Sequence, residues 1–271
     1  MPHVPGKPAH RCYVSEGPEQ LPKMKLVAET GYVWVFTSLL DVAYVYRPTR
    51  EGQFLHEILK GFSGVLVTDF YSAYDSVACP QQKCLVHLMW DINKDLLANP
   101  FDDDLKFLAS RFGELLRTII GTVDKFGLKA RHLRKHKGDV ALFYSGIGQR
   151  QITSDVAQHY RERILKYREK LFAFLDYDSV PWNNNNAEYA IKPVAKYRPL
   201  LKRTMTRSGV ESYLVLLSIY QTCEYRGLSF LDFLRSGETD IYAFAESRCG
   251  CRRRSPNSEP KALPADEGTE K

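Results

Sequence analysis

Asp176 to Arg198 reads DYDSVPWNNNNAEYAIKPVAKYR. An aromatic and acidic run closes at Pro181-Trp182, four asparagines follow, and Ala187-Glu188 opens an amphipathic segment. An asparagine side chain accepts a hydrogen bond from an otherwise orphaned backbone N–H, so a helix is predicted to start near Asn185 or Asn186. Glu188 then falls in its first turn, where backbone N–H groups and the helix dipole stabilise an ionised carboxylate. From Tyr189 to Val210 no acid occurs, but Lys192, Lys196, Arg198, Lys202, Arg203 and Arg207 do. One carboxylate at the edge of a basic strip is the pattern of a metal ligand beside a phosphate backbone. Each feature singly also fits a loop, a capping charge and a solvated face. A second acid far upstream is what joins them.

That acid is Asp69. Gly64-Val-Leu-Val-Thr68 is a short apolar run that reads as a buried strand carrying Asp69 at its C-terminal tip. Upstream, Gly31–Thr37 and Val42–Arg47 are β-branched and aromatic, close enough for an antiparallel hairpin. Arg50–Lys60 repeats Phe54, Leu55, Ile58 and Leu59 at helical spacing, with Thr49 as the expected N-cap and Gly61 as the stop. Lys83–Leu88 reads as a fourth strand, with Cys84 and Val86 on one face and Leu85 and His87 on the other. From Asp91 the period becomes helical through Leu175, with breaks at Asn99-Pro100, Gly127 and Gly146 to Gly148. Ser212–Arg226 is a further apolar helix capped by Gly227, and Phe230–Leu234 begins a short one. The fold class expected is α/β, a mixed sheet covered by helices.

Composition narrows the function classes. No apolar run approaches a membrane span, and the proline-rich opening is no signal peptide, so the cytoplasm is the expected compartment. The net charge of +6 is modest, but basic residues cluster at 125–137, 192–207 and 248–254, which suits a polyanion better than a small acidic substrate. Six cysteines show no disulfide rhythm and are expected to be reduced. Cys79, Cys84 and His87 invite a zinc reading, though a structural zinc requires a fourth ligand.

The segments GYVWVF, RPTREG, GVLVTDFYSAYD, KCLVHL, PWNNNNAEYAIK and YLVLLSIYQTCEYRGLSFLDFL together resemble the insertion-sequence sixty-six family of bacterial DDE transposases. The likeness runs from about Lys23 to Gly237. It implies an RNase H-like core in two pieces, 23–90 and 176–237, interrupted by a helical insertion at 91–175. It also implies two Asp and one Glu holding two divalent ions, magnesium or manganese. By match to the family motif Asp69 is the second acid and Glu188 the third; Asp75, Asp176 and Asp178 are rivals nearby. Tyr74, His87 and Asn186 are possible supporting residues. Lys192, Lys196, Arg198, Lys202 and Arg203 are expected to bind DNA. The implied partners are element-end and target DNA, with the protein a homo-oligomer on it and nucleoid-associated.

The first acid of the family motif departs from the pattern. Its register falls on Gln20-Leu21-Pro22, no Asp precedes Asp41, and Pro22 breaks a strand. Residues 1–22 therefore read as a lead outside the core, and 238–271 as a disordered basic tail. The chain is expected to bind DNA and to be defective in cleavage. The alternatives are a non-catalytic DNA-binding remnant, or a zinc-stabilised interaction module built on Cys79, Cys84 and His87.

Overall fold

A computed structural model describes residues 13–15, 23–25, 30–201 and 205–252; for 13–15, 23–25, 198–201 and 249–252 only the backbone is described. Among the described residues six strands form one mixed sheet: β1 (Tyr13–Ser15), β2 (Lys23–Lys25), β3 (Thr30–Thr37), β4 (Val42–Arg47), β5 (Leu66–Thr68) and β6 (Gln81–Lys83). The hairpin read from the β-branched runs is present as β3 and β4, with Trp34 opposite Val45. On its other side β3 pairs antiparallel with β2 and then with β1. β1 in turn runs parallel to β5, and β5 parallel to β6.

Two strand expectations are corrected. Order was expected to begin near Lys23, yet Tyr13–Ser15 lies between β3 and β5, with Ser15 opposite Thr68. Prolines flank this stretch at positions 8 and 18 but leave it free, so a short strand fits between them. Lys83–Leu88 is not a strand. The sheet position belongs to Gln81–Lys83, and Leu85 opens a helix. The polar strand is tolerated because its side chains are satisfied: Gln82 donates to the Leu171 carbonyl at 2.7 Å and accepts from the Phe174 N–H at 2.9 Å.

Helices cover the sheet. α1 (Gln53–Ile58) is capped by Gly52 rather than Thr49, and packs Phe54 edge-on to the buried Trp34 at 4.8 Å. α2 (Leu85–Ala98) buries Leu85, Leu88 and Ile92, one stripe at helical spacing. α3 (Asp103–Phe126) is capped by Asp102, which accepts from the Leu105 N–H at 2.9 Å. α4 (Ala130–Leu133), α5 (Lys137–Gln149), α6 (Asp155–Lys166) and α7 (Arg168–Leu171) complete the helical run before the asparagines. The break expected at Gly146 to Gly148 is absent, because α5 continues through both glycines to Gln149. α8 (Asn185–Leu201) starts where the asparagine caps predict.

α9 (Arg207–Arg226) lies along the outer edge of β4. Its Thr222 hydroxyl accepts from the Val42 N–H at 3.1 Å and donates to the Val42 carbonyl at 3.2 Å, while Ser218 accepts from the Tyr44 N–H at 2.9 Å. Gly227 ends α9 at φ 64°, the left-handed conformation that a residue without Cβ adopts at least cost. α10 (Phe230–Ser236) and α11 (Ile241–Arg252) follow. The latter corrects the expectation of disorder for 241–252, where Phe244 packs edge-on to Phe233 at 5.4 Å beside Cys223; the rest of the expected tail, 253–271, lies outside the described residues.

Candidate active site

The C-terminal ends of β5 and β6 deliver the site. Asp69 follows Thr68 directly and is 8% exposed, with one carboxylate oxygen accepting from the Tyr71 N–H at 2.9 Å. One strand over, the Cys84 N–H donates to the Thr68 carbonyl at 2.7 Å. That bond extends the parallel ladder past Lys83 and brings Cys84 level with Asp69. Cys84 is the N-cap of α2, and its buried thiol is pushed up to about 11, chiefly by desolvation.

The asparagine loop docks on the same spot. The Leu85 N–H donates to the Trp182 carbonyl at 3.0 Å, and the Asn184 N–H donates to Cys84 Sγ at 3.2 Å. The Asn184 carbonyl accepts from the Ala187 N–H at 3.0 Å and the Glu188 N–H at 3.2 Å, closing the first turn of α8. Glu188 thereby faces His87 across the two helix starts, with His87 Nε2 at 3.8 Å from Glu188 Oε1. Cys84, His87 and Glu188 each present a ligand atom within 4.8 Å of the others. Glu188 Oε1 is buried and accepts no hydrogen bond. Cys79 is not in this group and sits half-buried elsewhere, so the trio of Cys79, Cys84 and His87 does not assemble as one set of ligands.

The rival acids have other partners. Asp75 takes the buried ammonium of Lys83 at 3.1 Å, the Tyr167 hydroxyl at 2.9 Å and Lys170 at 3.2 Å. Burial raises the Asp75 carboxyl, but the Lys83 charge and these donors outweigh it and hold the group below the usual carboxylate range. Asp176 pairs with Lys137 at 2.6 Å, and Asp178 accepts from the Ala130 N–H at 2.7 Å.

Among the supporting residues, Tyr74 is fully buried and packs edge-on to Trp34 at 6.0 Å, a core position. Asn186 is a bracket. Its amide donates to Thr37 Oγ1 at 3.1 Å and the Ser38 carbonyl at 2.9 Å, and its carbonyl accepts from the Tyr225 hydroxyl at 3.0 Å. It so ties α8 to β3 and α9. His87 is the one that meets a predicted acid. Tyr44 adds a bond that the residue types did not announce, its hydroxyl donating to the Ala190 carbonyl within α8.

Of the basic strip, Lys192 and Lys196 are exposed, four residues apart on one face of α8. Arg198 lies in α8 without a described side chain, and Lys202 and Arg203 lie outside the described residues. No helix among the described residues is long and apolar enough to cross a membrane.

A profile of a transposase family matches residues 9–211 of the chain. The family is described as the Transposase IS66 family, and the chain belongs to it. The match begins within the proline-rich opening, which corrects the limit set at Lys23 and agrees with the place of β1 in the sheet. A curated relative, "Uncharacterized protein y4qI" of Sinorhizobium fredii (strain NBRC 101917 / NGR234), is 25% identical over 225 residues. The alignment covers 76% of this chain and 41% of that protein, so the chain spans less than half of its relative's length. No solved structure matches the chain significantly.

Proposed function

We propose that this chain forms an RNase H-like transposase core that binds DNA and holds a divalent metal between Asp69 and Glu188. One observation carries the reading: the asparagine loop that leads into Glu188 docks on Cys84, itself bonded to the residue before Asp69, which supports a common place for the two acids although the tight cluster around Glu188 is Cys84 and His87. The mixed sheet, an antiparallel hairpin on one side and parallel β5 and β6 on the other, supports the RNase H-like assignment. Residues 91–175 are then the insertion between the two pieces of the core.

The residues fit a cation. A buried carboxylate oxygen without a hydrogen bond, as at Glu188 Oε1, costs free energy unless a positive charge meets it. Bound magnesium or manganese would supply charge to the attacking and leaving oxygens of an in-line displacement at phosphorus. The chain's own residues set the geometry. The Tyr71 N–H orients Asp69, the Asn184 carbonyl fixes the turn bearing Glu188, and Asn186 anchors that turn to β3. Beside Glu188, Tyr189, Lys192, Lys196 and Tyr197 are exposed, a mix of ammonium groups and aromatic rings suited to phosphates and to unstacked bases.

The missing first Asp decides activity. The register set at Gln20-Leu21-Pro22 gives way to β1, the strand beside β5, whose last residue Ser15 lies opposite Thr68; with no Asp before Asp41, two divalent ions would lack the negative charge that offsets their repulsion. DNA binding is therefore expected without magnesium-dependent nicking, and placing an acid at the end of β1, by Ser15→Asp, is expected to recover nicking. A chain that nicks element-end DNA as it stands, and stops on Asp69→Ala, would overturn the defect. Glu16 would then be the residue to substitute, because it follows Ser15 in sequence as Asp69 follows the paired Thr68. Failure to bind DNA at all would sink the reading itself.

A further inference from the structure

We propose that Cys84 Sγ, His87 Nε2 and Glu188 Oε1 form a binding site for a thiophilic divalent ion of the zinc class, which takes Glu188 out of service. The three donor atoms lie within 4.8 Å of one another. The 3.8 Å between His87 Nε2 and Glu188 Oε1 is too long for a hydrogen bond. It is close to the separation of about 3.4 Å that two ligands keep around a tetrahedral ion with bonds of roughly 2.0–2.2 Å. Glu188 Oε1 is buried without a hydrogen bond, which a metal bond would remedy.

Local structure preorganises the set. Cys84 is the N-cap of α2 and His87 lies three residues on, so one helical turn presents both. The Asn184 N–H points at Cys84 Sγ at 3.2 Å, the kind of outer contact that orients a thiolate ligand. Glu188 enters from α8 on the loop that carries Asn184, so the third ligand is positioned by the same docking.

The chemistry of the donors separates this site from the magnesium one. Thiolate and imidazole suit zinc and related ions, while magnesium prefers oxygen and water. Three protein ligands leave the fourth tetrahedral position open, so the ion is exchangeable rather than a structural staple. The effect on cleavage rests on the transposase reading of Glu188; the binding does not.

Cobalt(II) is the probe, titrated into the purified chain without DNA or magnesium. The expected result is saturation at about one equivalent, a thiolate-to-cobalt charge-transfer absorption in the near ultraviolet, and one-for-one displacement by zinc. Cys84→Ser is expected to remove that absorption although Cys12, Cys79, Cys223, Cys249 and Cys251 remain. His87→Ala is expected to weaken binding at least tenfold, as loss of even an outer contact to a metal ligand does. Circular dichroism of both variants checks folding; should Cys84→Ser not fold, His87→Ala decides by affinity alone. Absence of saturable binding, or a charge-transfer band that survives Cys84→Ser, or cobalt affinity unchanged in His87→Ala, would overturn the site. Because no DNA is present, a chain unable to cleave still passes or fails this test independently.

Discussion

Removal of the Asp75 carboxylate tests how the edge of the sheet is held. Lys83 on β6 is fully buried, with its ammonium 3.1 Å from Asp75, 3.2 Å from Thr68 Oγ1 and between the rings of Tyr74 and Tyr167. Asp75→Ala leaves that ammonium without its contact carboxylate, a loss that costs about 3–5 kcal/mol in buried pairs, with the Asp69 charge nearby as the remaining offset. Lys83 can escape only by losing its proton, and burial already lowers its pKa. From an unfolded pKa of about 10.4 and about 1.4 kcal/mol per unit, deprotonation caps the cost at about 4 kcal/mol at pH 7.5 and about 2 kcal/mol at pH 9. The variant's deficit is therefore expected to shrink as pH rises. The intact pair has a sign of its own. Asp75 is held below its unfolded value, so its stabilisation is present above that value and lost as pH falls through the folded one. Urea unfolding of wild type, Asp75→Ala, Lys83→Met and the double variant, followed by fluorescence of the buried Trp34, reads all of this. On the Lys83→Met background Asp75→Ala is expected to cost less than in the wild type, because only the partly exposed Lys170 and the Tyr167 hydroxyl remain as its partners. A deficit independent of pH, or equal on both backgrounds, would refute the reasoning.

Asn186→Ala deletes the bracket between α8, β3 and α9, three hydrogen bonds at once; a urea midpoint shift worth about 1–3 kcal/mol is expected. A Cβ at Gly31 would collide with the buried Tyr46 ring, so Gly31→Ala is expected to cost about 1–3 kcal/mol by overpacking, read by the same unfolding curves. Replacing Lys192 and Lys196 together by Ala is expected to reduce the slope of log affinity against log salt by nearly 2, at about 0.9 per phosphate contact; an unchanged slope would show that these lysines meet no phosphate.

What the residues announced was local. The start of α8 follows from the asparagine caps, the β3–β4 hairpin from β-branched and aromatic runs, and the end of α9 from Gly227. What was not legible lies where distant chain decides. KCLVHL has the same apolar run whether it is a strand or the first turn of a helix, and the choice is made by the Thr68 carbonyl and Trp182. Gln81–Lys83 looks nothing like a strand, because its polar side chains find partners as far as 92 residues away. Tyr13–Ser15 is too short to carry a pattern and gains its place only by pairing with β3 and β5. Asp69 and Glu188 could be picked out from a strand tip and a helix start. His87 could be named as a residue within reach of the acids, but not on its right element, because Lys83–Leu88 reads as a strand where the chain forms the first turn of a helix.

The hydroxyls along the free side of β4 also impose a schedule. Val42 waits for Thr222, 180 positions later in the chain. At about 5–20 residues per second of synthesis, that is roughly 10–40 s during which β4 is made but its outer backbone groups lack their partners. An open strand edge is a template for any neighbouring chain. On a crowded polysome the hazard is greatest for this segment, and the ribosome's delivery of α9 is the event that ends it.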